Sequence, residues 1–264
     1  MLTATSVPIA FDDVGDGEPA LLCLPGWCGH RTVFRSLLAD AGQRRRSIAL
    51  DWRGHGGSQH PDGDYGTDQL VEDAIAVIER AGVDQVVPVG LSHAGWVAIE
   101  LRRQLGAERI PGIALLDWMV LGPPPPFLDA LAGLQDPTSW EAVRQGLFDR
   151  WTTGIDLPAL DDNIAEMASH GFDDWSRAGR EIARQFAEHG TPVRALEHLQ
   201  PACPVLHLYA QPPDDDFLDA QQSYAESHPW FRVQRLTAYS HFPMLEVHAD
   251  VAAALNDFVR TLSP

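Results

Sequence analysis

Cysteine is scarce in this 264-residue chain, and the scarcities set the first limits on what it does. Cys23, Cys28 and Cys203 are odd in number, and none stands in C-x-x-C spacing. A disulfide framework is therefore not expected, and a reduced, cytoplasmic setting is. Long apolar runs are missing too. None approaches the roughly 18 residues that a membrane helix needs, and no apolar stretch follows a basic start, so neither a span nor a signal peptide is expected. Positive charge is short: 19 Lys and Arg against 37 Asp and Glu leave a net charge of −18, which repels nucleic acid and anionic membrane alike. The acidic surplus is read as surface solubility. The eleven histidines show no H-E-x-x-H or other ligand spacing, so no metal is expected. No G-x-G-x-x-G follows a strand, so no dinucleotide cofactor is expected either.

What is present is a repeated alternation. The apolar runs Ala20–Leu24, Ser47–Trp52, Val86–Gly90, Ile113–Trp118 and Pro204–Tyr209 are nearly continuous, which suits strands buried on both faces of a parallel sheet. "FRVQRL" from Phe231 reads as the last strand. Thr3 to Val14, broken by Gly15-Asp16-Gly17, suggests two short strands in a hairpin. Helical periodicity marks Thr67–Ala81, with Leu70, Ala74, Val77 and Ile78 on one face, then Trp96–Leu105 and Ala249–Leu262. This alternation predicts an α/β fold, with βαβ units around a mostly parallel sheet. Residues 122–198 break the rhythm. They open on "GPPPPF", carry Trp140, Trp151 and Trp175, and have helical patterns without a strand run. They are expected to form a helical cap, inserted between core residues 1–121 and 199–264.

The chemistry gathers at the ends of those strands. Ser92, in Gly90-Leu91-Ser92-His93-Ala94-Gly95, stands between a strand pattern and a helix pattern, as on a nucleophile elbow. Small residues at 90, 94 and 95 let such a turn close. Leu24-Pro25-Gly26-Trp27 ends an earlier strand, where this architecture supplies one backbone N–H of an oxyanion hole, the second coming from His93. His241, in "AYSHFPMLE", follows the last strand and is placed to reach the serine turn. Two acids lie between in the chain. Asp117 closes an apolar strand run, which solubility does not explain; the run Asp214-Asp215-Asp216 reads more simply as a solvated loop. Asp117 is preferred. His93 is expected to line the pocket, His30 and His55 to brace loops, and the remaining histidines to be surface or packing residues. Among the tryptophans, Trp27 and Trp151 are expected to reach the cavity as flat walls for a planar ligand.

Taken together, "LPGWC", "DWRGH", "LSHAGWV", "LLDW", "FDRW" and "SHFPMLE" resemble one branch of the α/β-hydrolase superfamily over nearly the whole chain. That branch is the cofactor-independent 2,4-dioxygenases of 3-hydroxy-4-oxoquinolines and their 2-alkyl relatives. The resemblance implies an α/β-hydrolase fold and a reaction between a small aromatic substrate and O₂ without cofactor. It implies that His241 is the base, that Asp117 orients it, and that Ser92 and His93 hold the substrate rather than forming an acyl-enzyme. Trp27 and Trp151 would lie in or near the pocket, and the Gly26 backbone would face the ligand.

Two departures matter. Ala94 stands where the family often has glycine. Leu91 and Gly29 stand where some members carry histidines. A pocket with fewer histidines suggests a substrate with a hydrocarbon tail, of the 2-alkyl-3-hydroxy-4(1H)-quinolone kind used as a quorum-sensing signal. The rival readings are a serine esterase or lactonase using Ser92, His241 and Asp117, and a non-catalytic sensor with a hydrolase-like pocket.

Overall fold

The computed structural model describes residues 7–262, so the expected strand residues before Val7 lie outside it. Seven strands form one sheet: β1 (Phe11–Val14), β2 (Ala20–Leu24), β3 (Ser47–Leu50), β4 (Val86–Leu91), β5 (Ile113–Leu116), β6 (Val205–Tyr209) and β7 (Phe231–Arg235). Their spatial order is β1-β3-β2-β4-β5-β6-β7, with β1 antiparallel and the rest parallel. Every residue of β2 to β6 is buried, the burial that their unbroken apolar runs require, while β1 and β7 at the edges are partly exposed.

Among the described residues no hairpin forms across Gly15–Gly17. β1 pairs with β3, Phe11 opposite Leu50 and Val14 opposite Ser47, rather than with a sequential neighbour. The reason lies in the sheet: β2 already has parallel partners on both sides, so the free edge nearby is that of β3. The Gly15–Gly17 turn spans the entrance to β3. The Arg46 N–H donates to the Asp16 carbonyl at 2.6 Å, and the Arg46 guanidinium grips Asp13.

Helices fill both faces. α1 (Arg35–Ala41), α2 (Thr67–Ala81) and α3 (Ala94–Arg109) belong to the first half of the core, α3 being interrupted at Gly106, whose φ of 78° is not helical. Between β5 and β6 come five helices in succession: α4 (Pro125–Gly133), α5 (Trp140–Thr152), α6 (Pro158–Ala168), α7 (Phe172–His189) and α8 (Pro192–Glu197). α9 (Asp215–Ser227), α10 (Pro243–Glu246) and α11 (His248–Arg260) complete the core. None of the described helices is long and apolar enough to cross a membrane.

The chain leaves β2 for β3 on one side, then returns to place β4 on the other. The carboxyl ends of β2 and β4 therefore flank the point where strand order reverses, the place where open α/β sheets bind ligands. Gly26 and Trp27 follow β2, and Ser92 and His93 follow β4.

Candidate active site

The turn after β4 is built by close packing. Ser92 has φ of 51°, a left-handed conformation that is costly for a residue with a Cβ and is held by its surroundings. The Ser92 N–H donates to the Leu116 carbonyl at 2.8 Å, fixing the turn to the end of β5. A Cβ on Gly90 would lie 2.8 Å from the Gly95 nitrogen, so strand and helix meet there backbone to backbone. A Cβ on Gly95 would lie 2.2 Å from the Trp118 ring, so glycine lets that indole press against the start of α3. Ala94 is buried and accommodated.

Asp117 follows β5 and is also left-handed, with φ of 45°. Its Oδ1 accepts the backbone N–H groups of Ala210 at 2.6 Å and Gln211 at 2.9 Å, just beyond β6. Its Oδ2 accepts from His241 Nδ1 at 2.7 Å. A carboxylate can only accept, so the imidazole proton sits on Nδ1 and Nε2 keeps its lone pair. The Asp214–Asp216 run is elsewhere: Asp214 caps α9 by accepting from the Phe217 N–H, and Asp215 pairs with Arg235.

The loop carrying His241 is held at several points. Glu246 reaches back to accept the N–H groups of Tyr239 and Ser240, and the Ser240 hydroxyl accepts from the Phe242 N–H. The His241 N–H donates to the Trp151 carbonyl at 2.9 Å, and Trp151 stacks on the His241 ring with centroids 5.0 Å apart. Gln211 Nε2 donates to the Tyr239 carbonyl, tying the strand end that holds Asp117 to the loop that holds His241. Among the described residues no hydrogen bond joins His241 to the Ser92 hydroxyl; its bonds run to Asp117 and Trp151.

These groups border one cavity. Gly26, Trp27, Ser92, His93, Trp151 and His241 all line it. Asp117 does not; it stands behind His241. The backbone of Gly26 passes close over the elbow, for a Cβ there would be 3.8 Å from Ser92 Cβ. Trp27 is held by stacking on Tyr65. His93 is stacked on Phe127, and its Nδ1 is buried without a protein partner. Burial first, and the neighbouring His241 second, push the His93 pKa down to about 3, so the ring is neutral. The side formed by α4 to α7 is mostly apolar, lined by Leu131, Leu134, Leu147, Met167 and Ile182. Hydrocarbon fits that wall better than a charged group does.

A model of the alpha/beta hydrolase family matches residues 21–254. The chain belongs to that family. It is 35% identical over 259 residues to the 2-heptyl-3-hydroxy-4(1H)-quinolone dioxygenase of Mycobacteroides abscessus, covering 97% of this chain and 96% of that protein. It is 33% identical to the 1H-3-hydroxy-4-oxoquinoline 2,4-dioxygenase of Pseudomonas putida, with 98% of each covered. Among solved structures, a variant of AqdC in complex with its substrate, described as explaining recognition and ring cleavage of the Pseudomonas quinolone signal, superposes with a TM-score of 0.93. The two are 34% identical, and the match covers 98% of both chains. The quinolone dioxygenase branch that the motifs resemble is thus the one this alpha/beta hydrolase chain falls in.

The structure adds supporting residues: His207, expected to be a surface or packing residue, and three that had no expected role. His207, fully buried in β6, lies against Gln221 through Nδ1 at 2.5 Å and accepts the Trp118 N–H through Nε2 at 3.3 Å. It thereby braces the residue next to Asp117. Burial pushes its pKa down to about 4 against the opposing pull of Gln221 and Asp117. Gln211 and Glu246 have the bracing roles described above. Asn163 of α6 brings a carboxamide to the α4–α7 side of the cavity, with its Oδ1 unpartnered.

Proposed function

We propose that this protein cleaves a 3-hydroxy-4(1H)-quinolone with O₂, by the 2,4-dioxygenase reaction that its relatives are named for. The observation that carries the reading is the His241–Asp117 pair: an imidazole with a free Nε2, backed by a buried carboxylate, bordering an apolar cavity roofed by helices.

In this reading Nε2 of His241 removes the proton of the substrate 3-hydroxyl, and Asp117 stabilises the imidazolium that results. Direct reaction of O₂ with a closed-shell molecule is spin-forbidden, and most oxygenases use a metal or flavin for that reason. A 3-hydroxy-4-oxo anion is electron-rich enough to give one electron to O₂ itself. The radical pair recombines at C2, and the peroxide attacks the C4 carbonyl. The bridged intermediate then collapses, expelling carbon monoxide and leaving an N-acylanthranilate. Substrate plus O₂ balance acylanthranilate plus CO, so no cofactor enters. Ser92 and neutral His93 hold the substrate oxygens, the Gly26 backbone faces the ring, and Trp27 and Trp151 flank it.

The apolar cap wall takes a 2-alkyl tail. Burying one methylene is worth about 0.8 kcal/mol, so the roughly six methylenes separating heptyl from methyl give up to about 5 kcal/mol of extra binding. The test is kcat/KM for 2-heptyl- against 2-methyl-3-hydroxy-4(1H)-quinolone. The reading expects the heptyl compound to be favoured at least tenfold; faster turnover of the methyl compound contradicts the tail assignment.

A further inference from the structure

Away from the His241–Asp117 pair, a second cluster joins the core to the cap, and nothing in the proposed reaction uses it. Cys28 follows the cavity-lining Trp27, His55 lies in the loop after β3, and His170 lies between α6 and α7. All three are buried, and one donor atom from each lies within 4.8 Å of the others. His30 adjoins them, with its Nε2 3.0 Å from Nε2 of His170.

The hydrogen bonds around the cluster fix where its lone pairs point. His170 Nδ1 faces the Asp174 carboxylate at 3.0 Å, and His55 Nδ1 faces the Arg53 carbonyl at 2.9 Å. Both partners only accept, so each Nδ1 carries a proton, and in the neutral rings the lone pair lies on Nε2. His30 Nδ1 faces Glu166 at 3.5 Å, which favours the same tautomer. In neutral rings of that tautomer the Nε2 atoms of His30 and His170 confront each other lone pair to lone pair at 3.0 Å, a contact that a shared proton or a bound cation relieves. His55 Nε2 is buried with no protein partner at all. Imidazoles whose far nitrogen is held by a carboxylate or carbonyl are how proteins orient metal ligands.

We propose that Cys28, His55 and His170, with His30 as fourth donor, form a structural zinc site that staples the cap to the core. One thiolate and three imidazole nitrogens are a zinc donor set. Zn–S and Zn–N bonds of about 2.3 and 2.0 Å place tetrahedral ligand atoms roughly 3.3 to 3.6 Å apart; that lies inside the 4.8 Å bounding the Cys28, His55 and His170 donors and a little beyond the 3.0 Å between the His30 and His170 Nε2 atoms. Binding replaces the Cys28 S–H proton with the metal, so Zn²⁺ plus thiol gives zinc thiolate plus one released proton. Zinc has no redox step to offer O₂. Its contribution here is mechanical: Cys28, at φ of 58°, lies between the cavity-wall residues Trp27 and Gly29, whereas His170 belongs to the cap.

The test uses full-length protein purified without chelator from zinc-supplemented cells, with metal counted by mass spectrometry. About one zinc per chain is expected, with a rise in Tm as free zinc is increased. Cobalt exchanged for zinc should give tetrahedral visible bands and a thiolate-to-cobalt charge-transfer band. Cys28→Ser should abolish the latter, and His170→Asn should remove stoichiometric binding. Asp174→Asn leaves all four donors in place and should weaken binding roughly 10- to 100-fold, which keeps the proposal testable if a ligand variant fails to fold. Zinc far below one per chain in the wild type overturns the site, leaving a proton shared by His30 and His170 as the occupant. Zinc content unchanged by both His170→Asn and Asp174→Asn overturns it equally.

Discussion

Trp151 lies nearly flat on the His241 imidazole, ring planes 22° apart, and its carbonyl accepts the His241 backbone N–H. Trp151 lies in the last turn of α5, and His241 sits in the loop after β7, so that helix and the imidazole are positioned together. With Asp117 behind the ring and an indole on its face, His241 can turn little, and its Nε2 stays directed at one place. If His241 is the base, as proposed, its reorganisation is done before substrate arrives.

His241→Ala should therefore lower kcat/KM for the quinolone by about 10² to 10⁴ near neutral pH, the usual contribution of a positioned general base. Part of the loss should return at alkaline pH, where the substrate 3-hydroxyl ionises unaided. A pH–rate profile of the variant checks this. A loss that stays constant to high pH would mean that His241 does more than accept the proton.

Ser92→Ala separates dioxygenase from esterase. If Ser92 only donates a hydrogen bond to substrate, its loss should cost about 1 to 3 kcal/mol, roughly five- to 150-fold in kcat/KM. A nucleophile's removal would erase nearly all turnover. The missing Ser92–His241 hydrogen bond favours the smaller effect. Covalent labelling of Ser92 by an organophosphate, together with loss of all activity in the alanine variant, would favour the esterase.

Acid should unfold this protein early. His93 and His207 are buried and neutral, with pKa values pushed down to about 3 and about 4 by desolvation. The neighbouring His241 lowers His93 further; beside His207, the hydrogen bond to Gln221 and the Asp117 carboxylate raise it without offsetting burial. In the unfolded chain both titrate near 6.5, so below that pH the unfolded state binds more protons and stability falls as pH falls. Each contributes up to about 1.4 kcal/mol per pH unit until its folded pKa is reached. Urea unfolding between pH 7 and 4.5 should show ΔG dropping by roughly 1 to 3 kcal/mol per unit at the acid end. A flat profile down to pH 5 would show that these rings are not neutral inside the fold.

Much of the frame was legible because it is local. The periodicity of Thr67–Ala81 matches α2 at both ends, where Gly82 adopts the left-handed cap that stops a helix. The predicted Trp96–Leu105 stops one residue before the non-helical Gly106. The pairing of β1 was not legible, since the free edge of β3 exists only once β2 has both its neighbours. Asp117 was favoured over Asp214–Asp216 on burial pattern alone; which carboxylate meets His241 is decided in space, across 124 residues of chain. His207, Gln211 and Asn163 carry no motif, and Glu246, although it closes "SHFPMLE", has nothing there to show which N–H groups it accepts. Their importance comes from which atoms they happen to face. The cluster of Cys28, His30, His55 and His170 is equally silent, because its members come from three separate stretches of chain at no recognisable ligand spacing.

The most direct measurement mixes the protein with 2-heptyl-3-hydroxy-4(1H)-quinolone in air, under a chelator for iron and copper, and follows O₂ uptake and carbon monoxide release together. One O₂ consumed and one CO released per quinolone, with the rate unchanged by the chelator, is the predicted result. No O₂ uptake, alongside turnover of a p-nitrophenyl ester that Ser92→Ala abolishes, would contradict it and return the elbow to hydrolysis.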